Sequence, residues 1–380
     1  MRRLLLLGCV LALSACAGVD TTEPPAPLVQ FNPTLKVEKA WSHGSFSDAE
    51  GLLLALRPAS DGVHVFAAGH DGEVDAWDLK TGRSVWSRDL DMPLAAGPSV
   101  AEGVVLVGSN EGQVVALQAS DGKQLWSVQL GGEVLAAPAL SGQTVVVRTV
   151  DGHLTALSLA DGRQIWSVEQ SVPSLSLRGT AAPIIQAGVV YDGFDNGKLA
   201  AYALSDGELQ WETPVASPGG RTEIERLVDV DGTPVLRDND IYVTAVHGRV
   251  AAVAAESGQV IWAENMSSDA GLGVDSQAVY VTDDNSLVHA LDRNGGATLW
   301  SQEKLRARDL TAPTPFGPTV VVGDLEGYLH FLDRRNGRMM ARVQIDDSAI
   351  VTPPVVAGDM LVAMTESGDI AAYRIKGDNK

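Results

Sequence analysis

Short runs in which apolar and polar positions alternate recur along this chain from about residue 37 onward, separated by Asp-Gly, Asn-Gly and Thr-Gly pairs. A period of two turns one face of a strand inward and the other outward, and the glycine-bearing pairs are hairpin signals. Across residues 136–166 the pattern predicts four strands: Ala136–Leu140, Thr144–Val147, Leu154–Leu157 and a fourth that holds Trp166. No helical periodicity follows residue 20, so an all-β protein with very little helix is expected.

This four-strand unit repeats. Asp71-Gly72 leads to Trp86, Glu111-Gly112 to Trp126, Asp151-Gly152 to Trp166, Asn196-Gly197 to Trp211, and His247-Gly248 to Trp262. A degraded copy runs from Asn285-Ser286 to Trp300, and the next places Ala341 where the ring belongs. The last, Ser367-Gly368, reaches the C-terminus first, and Trp41 near the front supplies the missing ring. A period of about 40 residues marks units that cannot bury their apolar faces alone. Eight such units predict an eight-bladed β-propeller of four-stranded blades, closed by the N-terminal strand pairing into the C-terminal blade. The tryptophans then wedge against neighbouring blades, with Ala116, Ala156, Ala201 and Ala252 leaving them room. Trp77 departs from the repeat and is either a partly exposed ring or a larger filler.

The first residues read as a targeting signal, with Arg2-Arg3 ahead of an apolar stretch from Leu4 to Leu13 that is short for a bilayer span. Leu13-Ser14-Ala15-Cys16 matches the lipobox of bacterial lipoproteins, which divides the chain into a signal peptide (1–15), a lipidated Cys16 with a flexible tether (16–35) and the propeller (36–380). The other cysteine, Cys9, leaves with the signal, so no disulfide, zinc site or thiol nucleophile is expected. Formal charge is −20, and loss of Arg2 and Arg3 takes it to −22. No basic run of four or more occurs, which argues against nucleic acid as a partner. The seven histidines are scattered without metal-ligand spacing, and no Gly-x-Ser-x-Gly elbow or Walker-type loop appears.

Function is expected where the repeat is interrupted. From the tryptophan position to the proline of the next first strand the spacing is 12 residues after Trp86, Trp126 and Ala341, and 13 after Trp300. It grows to 17 after Trp166 and 23 after Trp211, so two enlarged connections follow consecutive blades and should be neighbours on one face. The first carries Ser174-Leu175-Ser176-Leu177-Arg178-Gly179 and the second Asp229-Val230-Asp231. Apolar anchors beside opposite charges suit protein recognition. An alternative is purely internal: the leucines cover the rim while Arg178 pairs with Asp229 or Asp231 to hold the loops together.

Lipobox, tether, tryptophan-bearing blades and above all these two loop motifs resemble the BamB family of propeller lipoproteins, over almost the whole chain. The resemblance implies a non-catalytic subunit of the outer-membrane β-barrel assembly machinery, with no cofactor, its propeller in the periplasm and its lipid in the outer membrane. It implies contact with the POTRA region of BamA through Leu175, Leu177, Arg178, Asp229 and Asp231, and allows unfolded outer-membrane clients as further partners. Two rivals keep the fold: a quinoprotein dehydrogenase, for which no compact Glu/Asn/Asp calcium set is found, and a generic periplasmic scaffold.

Overall fold

The computed structural model describes residues 23–44, 46, 54–173, 175, 179–217, 228–230 and 232–376. The expected signal peptide and Cys16 lie outside the described residues, as do Leu177, Arg178 and Asp231 of the two loop motifs. The described strands form eight antiparallel sheets of four, and no helix occurs among them. In the third blade the strands are Ala139–Ser141, Thr144–Arg148, His153–Ser158 and Gln164–Glu169, each extending the sequence expectation by a residue or two or trimming it. One sheet gains a fifth member, because Ala55–Leu56 lies parallel to Leu94–Ala101. First strands adjoin in succession through blades 1 to 4 and again through blades 5 to 8, so the blades stack around an axis and form a propeller.

The ring closes as expected. Val37–Gly44 pairs antiparallel with Asp369–Ile375 and becomes the fourth strand of the last blade, placing Trp41 opposite Ala372. Blades 1 to 6 repeat this opposition: Ala76 faces Trp86, Ala116 faces Trp126, Ala156 faces Trp166, and so on to Ala290 and Trp300. A bulge in the fourth strand beside each ring adds twist to the outer edge.

Seven rings dock in one way. Their Nε1–H groups donate to a carbonyl of the following blade at 2.6–2.9 Å, from Trp41 to Leu79 O through Trp300 to Arg334 O. The receiving turn presents a glycine to the ring: Gly82, Gly122, Gly162, Gly207, Gly258, Gly296 and Gly337. A Cβ on any of these would sit 2.6–2.9 Å from indole atoms, and all seven hold φ between 68° and 77°. Glycine is therefore required twice, by backbone and by contact. Trp77 is a filler and not an exposed ring. It is 3% exposed, stacks on His43 at 5.4 Å and meets Phe46 edge-on at 6.2 Å beside the closing strand.

The tether departs from expectation. Residues 23–35 were expected to be a free spacer, yet they lie along blades 6 and 7. Glu23 pairs with Arg306 at 2.6 Å, the Ala26 amide donates to Arg306 O, and Arg308 donates back to Ala26 O at 3.1 Å. Arg342 covers Phe31 at 5.6 Å, and the amides of Thr34 and Leu35 both donate to Met340 O. Pro24, Pro25 and Pro27 keep this segment from pairing as a strand, while arginine side chains capture its carbonyls individually.

Candidate partner-binding rim

The two enlarged connections leave blade 4 at its two ends in sequence, one entering at Ile184–Gln186 and one departing after Leu209–Pro214. They meet: the Ala182 amide of the first donates to the Thr233 hydroxyl of the second at 3.1 Å. The expectation that they form a single patch is thus met at their inner ends. Leu175 is 41% exposed, a large apolar side chain left in solvent on the first connection.

Asp229 sits differently from its expected role. It is 0% exposed, and its carbonyl accepts the Val246 amide at 2.8 Å in an isolated antiparallel bridge to blade 5. This burial fits the internal alternative, in which Asp229 helps to hold the loops together. Its neighbours Val228 and Val230 are buried with Val215, Ala216, Val243 and Ala245. The Val230 amide also donates to Phe194 O at 3.3 Å. The second connection is therefore stitched down on both sides at residues 228–230.

Beneath this stitch lies a charged cluster that the repeat pattern did not reveal. Arg148, at the end of the second strand of blade 3, is 4% exposed and donates from Nη1 to Gly193 O at 2.6 Å. It pairs with Asp195 through Nη2, and its guanidinium lies 5.5 Å from the Phe194 ring centroid. Asp192 is also fully buried, and among the described residues no side chain donates a hydrogen bond to its carboxylate. Burial pushes its carboxyl up to about 7, against the Arg148 guanidinium and with the Asp195 charge adding to the rise. The available signal was Arg148 closing the run Val145-Val146-Val147, an ion at the end of a buried strand.

Around the axis, the blades line an open cavity of about 1230 Å³ whose lining includes Arg57, Glu133, Asp269, Asp309 and Glu366. Burial and the charges of Asp284 and Asp309 raise the Asp269 carboxyl. Among the described residues no group of His, Cys, Asp and Glu has metal-holding geometry.

Comparison with known proteins gives one consistent result. The family signature described as "Outer membrane protein assembly factor BamB" matches residues 70–302 and 284–378. A protein of that name from Pseudomonas aeruginosa is 47% identical over 98% of this chain and 98% of its own. The one from Yersinia pestis is 37% identical over 98% and 99%. The crystal structure of BamB from Moraxella catarrhalis superposes with a TM-score of 0.81 at 26% identity, covering 89% of this chain and 100% of that one. A quinohemoprotein alcohol dehydrogenase from Pseudomonas putida also superposes, with a TM-score of 0.71 over 93% of this chain and 78% of its own, but at 14% identity that likeness is one of fold alone. By signature, sequence and structure, the chain belongs to the outer membrane protein assembly factor BamB family.

Proposed function

We infer that this protein is a non-catalytic scaffold of outer-membrane β-barrel assembly, held to the outer membrane through lipid on Cys16 with its propeller in the periplasm. Its rim binds the POTRA region of BamA. The observation that carries the contact is the junction of the two enlarged connections at Ala182 and Thr233, with Leu175 left in solvent on one of them. A propeller is well suited to this work: its blades interlock rigidly, so a loop pair on its rim is presented in one geometry and binding spends little on ordering. Leu175, Leu177, Arg178 and Asp231 are the proposed contact residues, and Asp229 supports them from below.

Replacing Leu175 with Glu tests the reading. Affinity for the BamA POTRA region should fall by at least about 2 kcal/mol, as for a buried anchor, while the melting temperature stays near that of the parent. Unchanged affinity would overturn the rim reading, and loss of affinity and fold together would favour the internal role for the loop. Replacing Cys16 with Ala should abolish palmitate labelling and release the protein from the membrane fraction. Retention of label would place the lipid elsewhere.

A further inference from the structure

Arg148 joins two blades at a single point. It reaches from blade 3 into the turn Gly193-Phe194-Asp195 of blade 4, engaging a carbonyl, a carboxylate and a ring face together. That turn is the seat of the second enlarged connection. Phe194 O accepts the Val230 amide, and any side chain at Gly193 would collide with Val230. A chain of direct contacts thus runs from Arg148 through the turn to Val230, and from Asp229 O to Val246 in blade 5. By spacing along the sequence this is the longest connection between the blades, and Arg148 lies under it.

We propose that Arg148 is a positioning residue for the partner-binding rim, fixing through the Gly193–Asp195 turn where residues 228–230 sit. The proposal rests on the reading of the rim as the protein contact. Its physical basis is the planar guanidinium, which satisfies Gly193 O and Asp195 while lying over Phe194, a combination an ammonium does not reproduce. The turn is thereby held to blade 3 and the connection to blades 4 and 5, so three blades define one loop position.

The test uses the full mature chain and the POTRA region of BamA as probe. Arg148→Lys keeps the charge and loses the fork; Phe194→Leu keeps the arginine and removes the ring beneath it. In each, the folded protein should bind at least about tenfold more weakly, and the Val230 and Val246 amides should exchange with deuterium at least about tenfold faster. Amides in the strands of blade 3 should not change. A merely structural arginine would lower the melting temperature and leave the affinity of the folded protein intact, and that result would overturn the proposal. In the unaltered protein the Val230 amide should exchange as slowly as strand amides. Exchange at open-loop rates would overturn the proposal whether or not either variant folds. If Leu175→Glu leaves binding intact, the rim reading fails, while the exchange measurement still decides the role of Arg148.

Discussion

At the scale of single residues, the propeller is built on one size relation. Where a fourth strand carries tryptophan, the residue opposite on the third strand is alanine; where blade 7 carries Ala341, the residue opposite is Phe331. The exchange conserves volume across the pair. Blade 7 needs no indole because the blade after it has no turn between third and fourth strands to receive one, and Leu35, Val37 and Ile375 fill the space beside Ala341. Replacing Ala341 with Trp alone should therefore lose about 1–3 kcal/mol to overpacking. Adding Phe331→Ala should recover part of that loss, as a urea double-mutant cycle would measure. Purely additive losses would show that the two sites do not share a volume. Trp126→Ala should cost about 3–5 kcal/mol, with Leu159 O losing its donor.

The buried Asp192 gives a prediction of opposite sign to the usual acid effect. Its folded carboxyl titrates near 7, well above the ordinary carboxylate value, because burial outweighs the Arg148 guanidinium. The native state therefore holds a proton between about pH 4 and 7 that the unfolded chain releases, so this residue's contribution falls as pH rises through that window. The loss levels off above about pH 7 at an order of 4 kcal/mol. Asp192→Asn should flatten the slope and stabilise the protein at pH 8 relative to pH 5. Urea midpoints at the two pH values check this, and an unchanged difference between them would mean that Asp192 is ionised in the fold.

At the scale of elements, the blades were legible in the sequence and the devices around them were not. Gly82, Gly122 and their equivalents stand at fixed distances from tryptophans, so turn, strand order and ring closure follow from spacing. The docked tether left no such trace. Its amides and carbonyls do the binding, and the arginines that capture it, Arg306, Arg308 and Arg342, lie some 280 to 310 residues away in the chain. The burial of Asp229 was illegible for a related reason: a loop position carries no periodicity that distinguishes an inward carboxylate from an outward one. Arg342→Ala tests the docking. The guanidinium lies 5.4 Å from Tyr328 and 5.6 Å from Phe31 and donates to Val29 O. Its loss should cost about 0.5–2 kcal/mol and make residues 23–34 an early site of limited proteolysis while the blades resist. Equal cleavage rates in parent and variant would mean that Arg342 does not hold the segment.

At the scale of the whole molecule, stability depends on the ring having no open seam. Every blade but the seventh covers the next through an indole, a carbonyl and a glycine, and the last blade is completed only by Val37–Gly44. This strand satisfies the ladder of Asp369–Ile375, and its Trp41 docks on Leu79 O and Gly82 of blade 1. It also brings His43 onto Trp77, so the first and last blades share one apolar cluster. Removing residues 37–44 therefore opens two surfaces at once: an unpaired edge on Asp369–Ile375 and an uncovered face on blade 1. An exposed, flat edge recruits other chains. The shortened protein should melt at least about 10 °C lower, scaling from the loss of a buried indole and a strand ladder, and should elute as oligomers on size exclusion. A synthetic peptide spanning residues 36–44 should restore the monomer and part of the lost stability by occupying the vacant fourth-strand position. A monomeric shortened chain with the parental melting temperature would show that the blades hold together without closure, and that the interlock between neighbours is sufficient by itself.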